Sequence, residues 1–265
     1  MKNLIPLMKK FNFTEYETKV YVTLLKVGPS TGYEISKQSS VPRSRVYNIL
    51  ETLIQKGIVL EAQTNPILYS AIPINEFKEN ISRNVSSSLE EIDNYLVQYE
   101  KNTDSEALWN IDGFQNILNK SKYLIQYAKE EVLIQIWQED LDKEMVQLLQ
   151  KTNQRLKKFV LILFSETQQY DLPFDHYYKH GFEKDKLKEM GSRWISVVID
   201  EKEMIFGSIS SKVNGEAVWT KNHSMVFLAR EHIVHDAYCL NIIQHLDEKT
   251  KKEFGDDLEK IRKIY

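Results

Sequence analysis

A two-part chain of mixed class, α+β in its first part and α/β in its second, follows from three observations on its 265 residues. Over residues 1–73, apolar positions recur at helical spacing, pause at a polar turn, recur again, and give way to two short β-type runs. Helix, helix, turn, helix, hairpin is the order of a winged helix-turn-helix. Residues 74–104 carry one long apolar seam, the mark of a linker or dimerisation helix. From 105 to 265, strand-like and helix-like stretches alternate and strands then follow one another. That pattern predicts a mixed sheet covered by helices.

Composition narrows the function classes. Apolar content of 42% and charged content of 28% are those of a soluble globular chain. The longest strongly apolar run, Phe159 to Phe164, is too short to span a bilayer, and the N-terminus shows no secretory leader. Cys239 is the only cysteine, which excludes an intrachain disulfide and a cysteine zinc cluster and predicts a small buried residue. A cytoplasmic protein with no membrane partner is expected. Charge is uneven. Residues 1–72 hold nine basic and five acidic residues, a net +4, leaving −7 for the rest of a chain whose total is −3. A cationic head on an acidic body suits a polyanion-binding domain joined to one that does not bind polyanions.

The head begins with a short amphipathic helix over 3–11, which places Lys9 and Lys10 at its end. Thr14-Glu-Tyr-Glu17 and Thr31-Gly-Tyr-Glu34 are capping boxes that open the next two helices. Gly28-Pro29 ends the first of these, and Ser39-Ser40-Val41 forms the turn. Val41-Pro-Arg-Ser-Arg-Val-Tyr-Asn-Ile-Leu50 then starts a third helix. Pro42 suits its first turn and Gly57 its left-handed C-terminal position. Val46, Ile49, Leu50 and Leu53 form its core stripe. Ser44, Tyr47 and Asn48 lie opposite, with Arg43 and Arg45 on the flanks of the first turn. A cationic, hydrogen-bonding tip of this kind can enter a major groove, where arginine pairs with guanine and asparagine with adenine. An amphipathic helix with a solvated polar face has the same pattern. Strands over Ile58–Ala62 and Leu68–Ile72, joined by Gln63-Thr-Asn-Pro66, complete the head.

Phe13-Thr-Glu-Tyr-Glu17, Leu24-Leu25-Lys26-Val27-Gly28-Pro29, Val41-Pro-Arg-Ser-Arg-Val-Tyr47 and Leu53 to Gly57 closely resemble the N-terminal domain of the TrmB family, prokaryotic transcriptional regulators of which many respond to sugars. The likeness covers about residues 12–73. It implies that Arg43, Ser44, Arg45 and Tyr47 lie in the DNA-contacting helix. Family wings often carry a basic tip; residues 63–68 have none, which shifts the expected phosphate contacts to the helix and to Lys2, Lys9 and Lys10.

From Asn75 to about Asn102 the seam consists of Phe77, Ile81, Val85, Leu89, Ile92, Leu96 and Tyr99, spaced for helix–helix packing. It either dimerises the chain, setting two heads about 34 Å apart on a two-fold operator, or packs on the chain's own body. Dimerisation is the reading adopted. In the body, strands are expected at Ala107–Ile111, Val132–Trp137, Phe159–Phe164, Arg193–Asp200, Met204–Ile209, Ala217–Thr220 and Met225–Ala229. Helices are expected at Gly113–Ala128, Asp140–Lys157, Glu183–Met190, Glu231–Leu246 and Lys251–Lys263, with an irregular loop over Glu166–Gly181.

Glu131 to Asp140 and Val198 to Ser208 look like the TrmB regulatory domain, which is similar in fold to phospholipase D. None of the six histidines has lysine two places on and aspartate seven on, as the hydrolytic motif of active phospholipase D proteins requires. A sensor without catalytic residues is therefore expected, not an enzyme. Pockets in α/β sensors lie at strand ends, which nominates Trp137, Gln138, Asp140, His176, Tyr178, Ser208, Trp219 and Asn222 as effector-pocket candidates. Taken singly, each is more often core, for the tryptophans, or a loop cap, for the polar groups. His232 and His235 lack a third ligand, so no metal is expected, and no nucleotide-binding glycine motif calls for a cofactor. The reading is a sequence-specific regulator with three partners: duplex DNA, a second copy of the chain, and a small-molecule effector, for which the resemblance suggests a sugar. The alternatives are a phospholipase D-like phosphodiesterase or nuclease with a DNA-targeting head, and a winged helix that docks protein.

Overall fold

The computed structural model describes residues 1–99, 106–256 and 258–262. The chain divides into two compact units, Met1–Lys101 and Asn102–Tyr265.

In the first unit, α1 (Leu4–Lys9), α2 (Glu15–Val27), α3 (Gly32–Ser39) and α4 (Arg43–Gln55) precede a hairpin of β1 (Val59–Ala62) and β2 (Leu68–Ala71). Both capping boxes form. Thr14 accepts from the Glu17 amide while the Glu17 carboxylate accepts from the Thr14 amide, and Thr31 and Glu34 repeat the exchange. Ser40 takes the left-handed turn conformation between α3 and α4. Pro42 is one place earlier than expected. With φ −55° and ψ 136° it precedes the helix as its N-cap, so its extended ψ sets the direction from which the chain enters α4. At the other end, the Gly57 amide donates to Ile54 and the Ile58 amide to Leu53, with Gly57 at φ 68°. These are the paired bonds of a Schellman cap. Val46, Leu50 and Leu53 seal α4 against Val20, Leu24 and Ile35. Ser30 and Tyr69 exchange backbone hydrogen bonds of 2.9 Å, which tie the hairpin to the α2–α3 loop.

A 23-residue helix, α5 (Ile74–Leu96), follows. Its seam divides. Phe77 and Ile81 pack on the core of the head, whereas Val85, Leu89, Ile92, Leu96 and Tyr99 are exposed. The helix ends at Leu96, short of the expected 102, so Tyr99 lies past its end; residues 100–102 lie outside the described ones.

The second unit holds β3 (Trp109–Asp112), α6 (Phe114–Tyr127), β4 (Glu131–Trp137), α7 (Lys143–Arg155), β5 (Lys158–Phe164) and β6 (Tyr178–Lys179). After them come α8 (Glu183–Met190), β7 (Arg193–Ile199), β8 (Glu203–Ile209), β9 (Gly215–Thr220), α9 (His223–Gln244), α10 (Glu248–Phe254) and α11 (Glu259–Arg262). The strands form one mixed sheet in the order β3-β9-β8-β7-β4-β5-β6, parallel at β4–β5 and β5–β6 and antiparallel elsewhere. Successive side chains point to opposite faces. Val132, Ile134, Leu161, Val197 and Ile205 therefore meet α6 and α7, while Leu133, Trp137, Ile162, Phe164 and Val198 meet α9. Burial on both faces explains why β4 shows no apolar/polar alternation: every one of its residues is buried, Gln135 on the α9 face included.

Several sequence expectations need correction. Met225–Ala229 is not a strand but the first turns of α9. The Asn222 side chain accepts from the Met225 amide, and this cap starts a helix on an apolar run whose length alone suits either state. Cys239 is exposed on α9, not buried. The loop 166–181 contains the short strand β6. The last expected helix breaks at Gly255, which takes φ 93° between α10 and α11. Residues 263–265, its expected end, lie outside the described ones.

Candidate nucleic-acid interface and effector domain

The first turn of α4 has no side-chain cap and no acidic residue, yet it bears Arg43 and Arg45. Free amides at a helix N-terminus carry partial positive charge, so each added cation there costs about 0.3–1 kcal/mol of helix stability. Stability alone would not favour that placement; binding of an anion would. Arg43, Ser44, Arg45, Tyr47 and Asn48 are all exposed. Among the described residues neither arginine pairs with a carboxylate. Both sit over aromatic rings instead. The Arg43 guanidinium carbon is 5.4 Å from the centre of Tyr33, and that of Arg45 is 5.5 Å from Tyr16, whose ring also carries Lys19 at 5.6 Å.

Tyr47 has a second role. A β-carbon on Gly32 would come within 2.6 Å of the Tyr47 ring, so the bare glycine lets α4 lie close against the start of α3. Sequence reasoning nominated Tyr47 and missed Tyr16, Tyr33 and Gly32. The available signal was that Tyr16 and Tyr33 occupy the same position in two capping boxes, one residue before the glutamate.

Lys9 and Lys10 are exposed but do not join the arginine tip. The Asn12 amide donates to the Lys9 carbonyl, and the Asn12 carbonyl accepts from the Lys56 ammonium at 2.9 Å. The end of α1 therefore lies by the C-terminal end of α4, about 20 Å along that helix from Arg43 at 1.5 Å per residue. Lys56 itself is held by the buried Glu17 carboxylate at 2.7 Å.

In the second unit the eight effector candidates do not form one pocket. The register puts the carboxyl ends of β4, β5 and β8 on one edge of the sheet with the amino ends of β7 and β9. Trp137, Gln138, Asp140 and Ser208 lie towards that edge. Trp219, near the carboxyl end of β9, and Asn222, just beyond it, lie at the opposite one. Most of the set is already engaged in holding the fold. Trp137 is 0% exposed, stacked on Phe164 at 5.3 Å with Trp194 edge-on. Asp140, also 0% exposed, takes two bonds from Arg193, at 2.9 and 3.0 Å. Gln138 pins the loop through both backbone groups of Asp171. Trp219 donates to Glu203 and lies 3.7 Å below Lys120. Asn222 caps α9. Tyr178 is half-buried in β6, and His176 is exposed on the preceding loop.

Ser208 lines a recess of about 550 Å³ with Asp112, Ser210, Asn214 and Glu216. A second recess of about 230 Å³ lies at the opposite edge, between Tyr123, Tyr127, Lys129, Lys202 and Glu203. Beside it Asp200, at φ 51° in the β7–β8 turn, accepts from the amides of Lys129, Glu130 and Glu131 at 2.7–3.1 Å. Burial opposes ionisation of Asp200, but those three amides outweigh it and hold the carboxyl below its usual range. On the α9 face the buried Gln135 donates to Asp236 at 2.8 Å. Burial pushes Asp236 above the usual carboxylate range, against the downward pull of His232, Gln135 and Lys186. No group of three or more histidine, cysteine or carboxylate side chains able to hold a metal occurs among the described residues.

Comparison with known proteins follows the same division. Residues 7–75 match the family profile described as "Sugar-specific transcriptional regulator TrmB", and residues 107–231 match the N-terminal subdomain of the TrmB EBD. YrhO of Bacillus subtilis is 31% identical over 265 residues, covering 100% of this chain and 95% of that one. The HTH-type sugar sensing transcriptional regulator TrmBL1 of Pyrococcus furiosus is 30% identical over 136 residues, 50% of this chain and 40% of its own length. The solved structure of TrmBL2, described as an archaeal chromatin protein with a novel mode of DNA binding, covers 88% of this chain and 96% of its own. At 19% identity and a TM-score of 0.34, that overlay is too loose to carry an argument.

Proposed function

The chain belongs to the TrmB family of DNA-binding transcriptional regulators, and from that premise we propose that it acts as a cytoplasmic homodimer whose operator affinity is set by a small molecule. In this reading residues 1–73 bind DNA, 74–104 link and dimerise, and 105–265 sense the effector. Arg43 and Arg45 read base edges or hold phosphates, with Ser44, Tyr47 and Asn48 beside them; Lys9 and Lys10 reach at most flanking phosphates. The observation that carries the reading is the arginine pair itself, exposed and without acidic partners at an uncapped helix N-terminus. The exposed residues of the α5 seam, Val85, Leu89, Ile92 and Leu96, support dimerisation. No helix among the described residues is long and apolar enough to cross a membrane.

A sugar is the class of effector that the family's description suggests, and the two recesses, one of them lined by Ser208, are better candidates for its site than the other seven residues nominated from sequence. The mixed sheet with helices on both faces is compatible with a phospholipase D-like fold, and the family match favours a regulator over an enzyme. The test is binding of the full-length chain to a duplex it selects from a random pool. Arg43→Ala and Arg45→Ala should each weaken binding by about 1–3 kcal/mol if they touch bases, or lower the salt slope by about one if they touch phosphates. Two variants that bind as the unmodified chain does, with the same salt slope, would remove the proposal.

A further inference from the structure

We infer that Tyr33 and Tyr16 are positioning residues for DNA recognition, each holding one arginine of α4 ready before the duplex arrives. The inference rests on the proposal that Arg43 and Arg45 face DNA. Arginine carries large rotamer entropy, and a free one must surrender it on binding. A carboxylate partner would restrain it but would occupy the N–H donors that bases and phosphates need. A ring face restrains the cation and leaves all five N–H donors available. That is the arrangement here: Arg43 lies 5.4 Å from the Tyr33 ring centre and Arg45 5.5 Å from that of Tyr16, with no ion pair at either among the described residues.

The two rings are not equivalent. Tyr33 is 57% exposed and serves Arg43 alone, so its ring is not required by the core. Tyr16 is half-buried against the core of the head and shares its face with Lys19, which Glu15 anchors at 2.6 Å. Tyr33 therefore gives the cleaner test. For Tyr16 the informative variant is Tyr16→Leu, which keeps apolar bulk against the core and removes the ring. It should weaken binding by a factor similar to that of Tyr33→Ala, and unmodified binding would remove Tyr16 from the inference.

The experiment measures affinity of the full-length chain for the selected duplex and for a scrambled one, with thermal unfolding as a check on folding. Tyr33→Ala should weaken binding to the selected duplex by about two- to fivefold, the worth of an exposed cation–π contact. The preference over the scrambled duplex should fall with it. Tyr33→Phe should keep most of the affinity, because the ring does the positioning. In an Arg43→Ala background the Tyr33→Ala loss should disappear, since the two changes remove one interaction. Tyr16→Phe should behave like Tyr33→Phe. Tyr33→Ala binding at unmodified strength, or losing the same factor in the Arg43→Ala background, would overturn the inference. So would Tyr33→Phe losing as much as Tyr33→Ala, which would make the hydroxyl a direct contact. If Arg43→Ala weakens binding while Tyr33→Ala does not, the positioning role fails and the DNA-facing reading stands. If neither arginine variant weakens it, both fail.

Discussion

The tip of α4 and the carboxyl end of β4 both place charged and aromatic residues at the end of a regular element, and they use them in opposite ways. At α4 the guanidinium groups are exposed and lie on rings, without a carboxylate partner among the described residues. At β4 the same residue types are consumed: Trp137 is in the core and Asp140 is gripped by Arg193. Residue type and position at an element end nominate a site. Whether the groups are still unpartnered is what separates the two ends.

The sharpest way to break this comparison is to remove one arginine from each place. Arg193→Ala would leave Asp140 buried without its counter-charge, and breaking such a pair costs about 3–5 kcal/mol. Glu166, which also bonds Arg193 at 2.6 Å, would be released. Calorimetry should show a large loss of stability in the second unit, and a loss under 1 kcal/mol would mean that Lys212, 3.6 Å from Asp140, takes over. Arg43→Ala should do the reverse. It should cost about 1–3 kcal/mol in DNA affinity and leave the melting temperature unchanged or slightly raised, because a cation leaves the positive end of a helix. Between these lies Gly32→Ala, whose β-carbon would meet the Tyr47 ring at 2.6 Å. Overpacking of this kind costs about 1–3 kcal/mol, and pairing it with Tyr47→Ala should recover part of the stability loss. Equal melting temperatures for Gly32→Ala and the unmodified chain would show that the ring yields freely.

Much of the head was legible in sequence because its signals are local. Capping boxes span four residues, and the glycine that ends α4 follows within two of its last helical residue. The arginine tip follows from the same helical period that buries Val46 and Leu50. The body was legible only as elements. That Trp137 and Trp219 lie at opposite edges follows from the three successive antiparallel pairings β4–β7, β7–β8 and β8–β9, which no local pattern encodes. Nor could spacing show that Asp140 meets Arg193, 53 residues away. Met225–Ala229 was misread because five apolar residues in a row fit a buried strand as well as a helix, and Asn222 decided between them.

The smallest effects lie in two aspartates of the body that burial and hydrogen bonding push in opposite directions. Asp200 is held below its ordinary value, so the stability it contributes is complete above the unfolded value of about 3.9 and is lost as pH falls through the folded one. Asp236 is held above its ordinary value. Its burial therefore costs stability at neutral pH, and the cost fades as pH falls from the folded value to the unfolded one. Asp200→Asn should lower the melting temperature at pH 7, with a deficit that shrinks towards pH 3. Asp236→Asn keeps an acceptor for Gln135, should raise the melting temperature at pH 7, and should lose that advantage over the same interval. Melting curves of the two variants and the unmodified chain across that range should therefore diverge upwards in pH, one variant above the unmodified chain and one below. Parallel curves would mean that neither carboxylate feels the environment its neighbours impose, and that hydrogen bonds to Asp200 hold a turn without holding a charge.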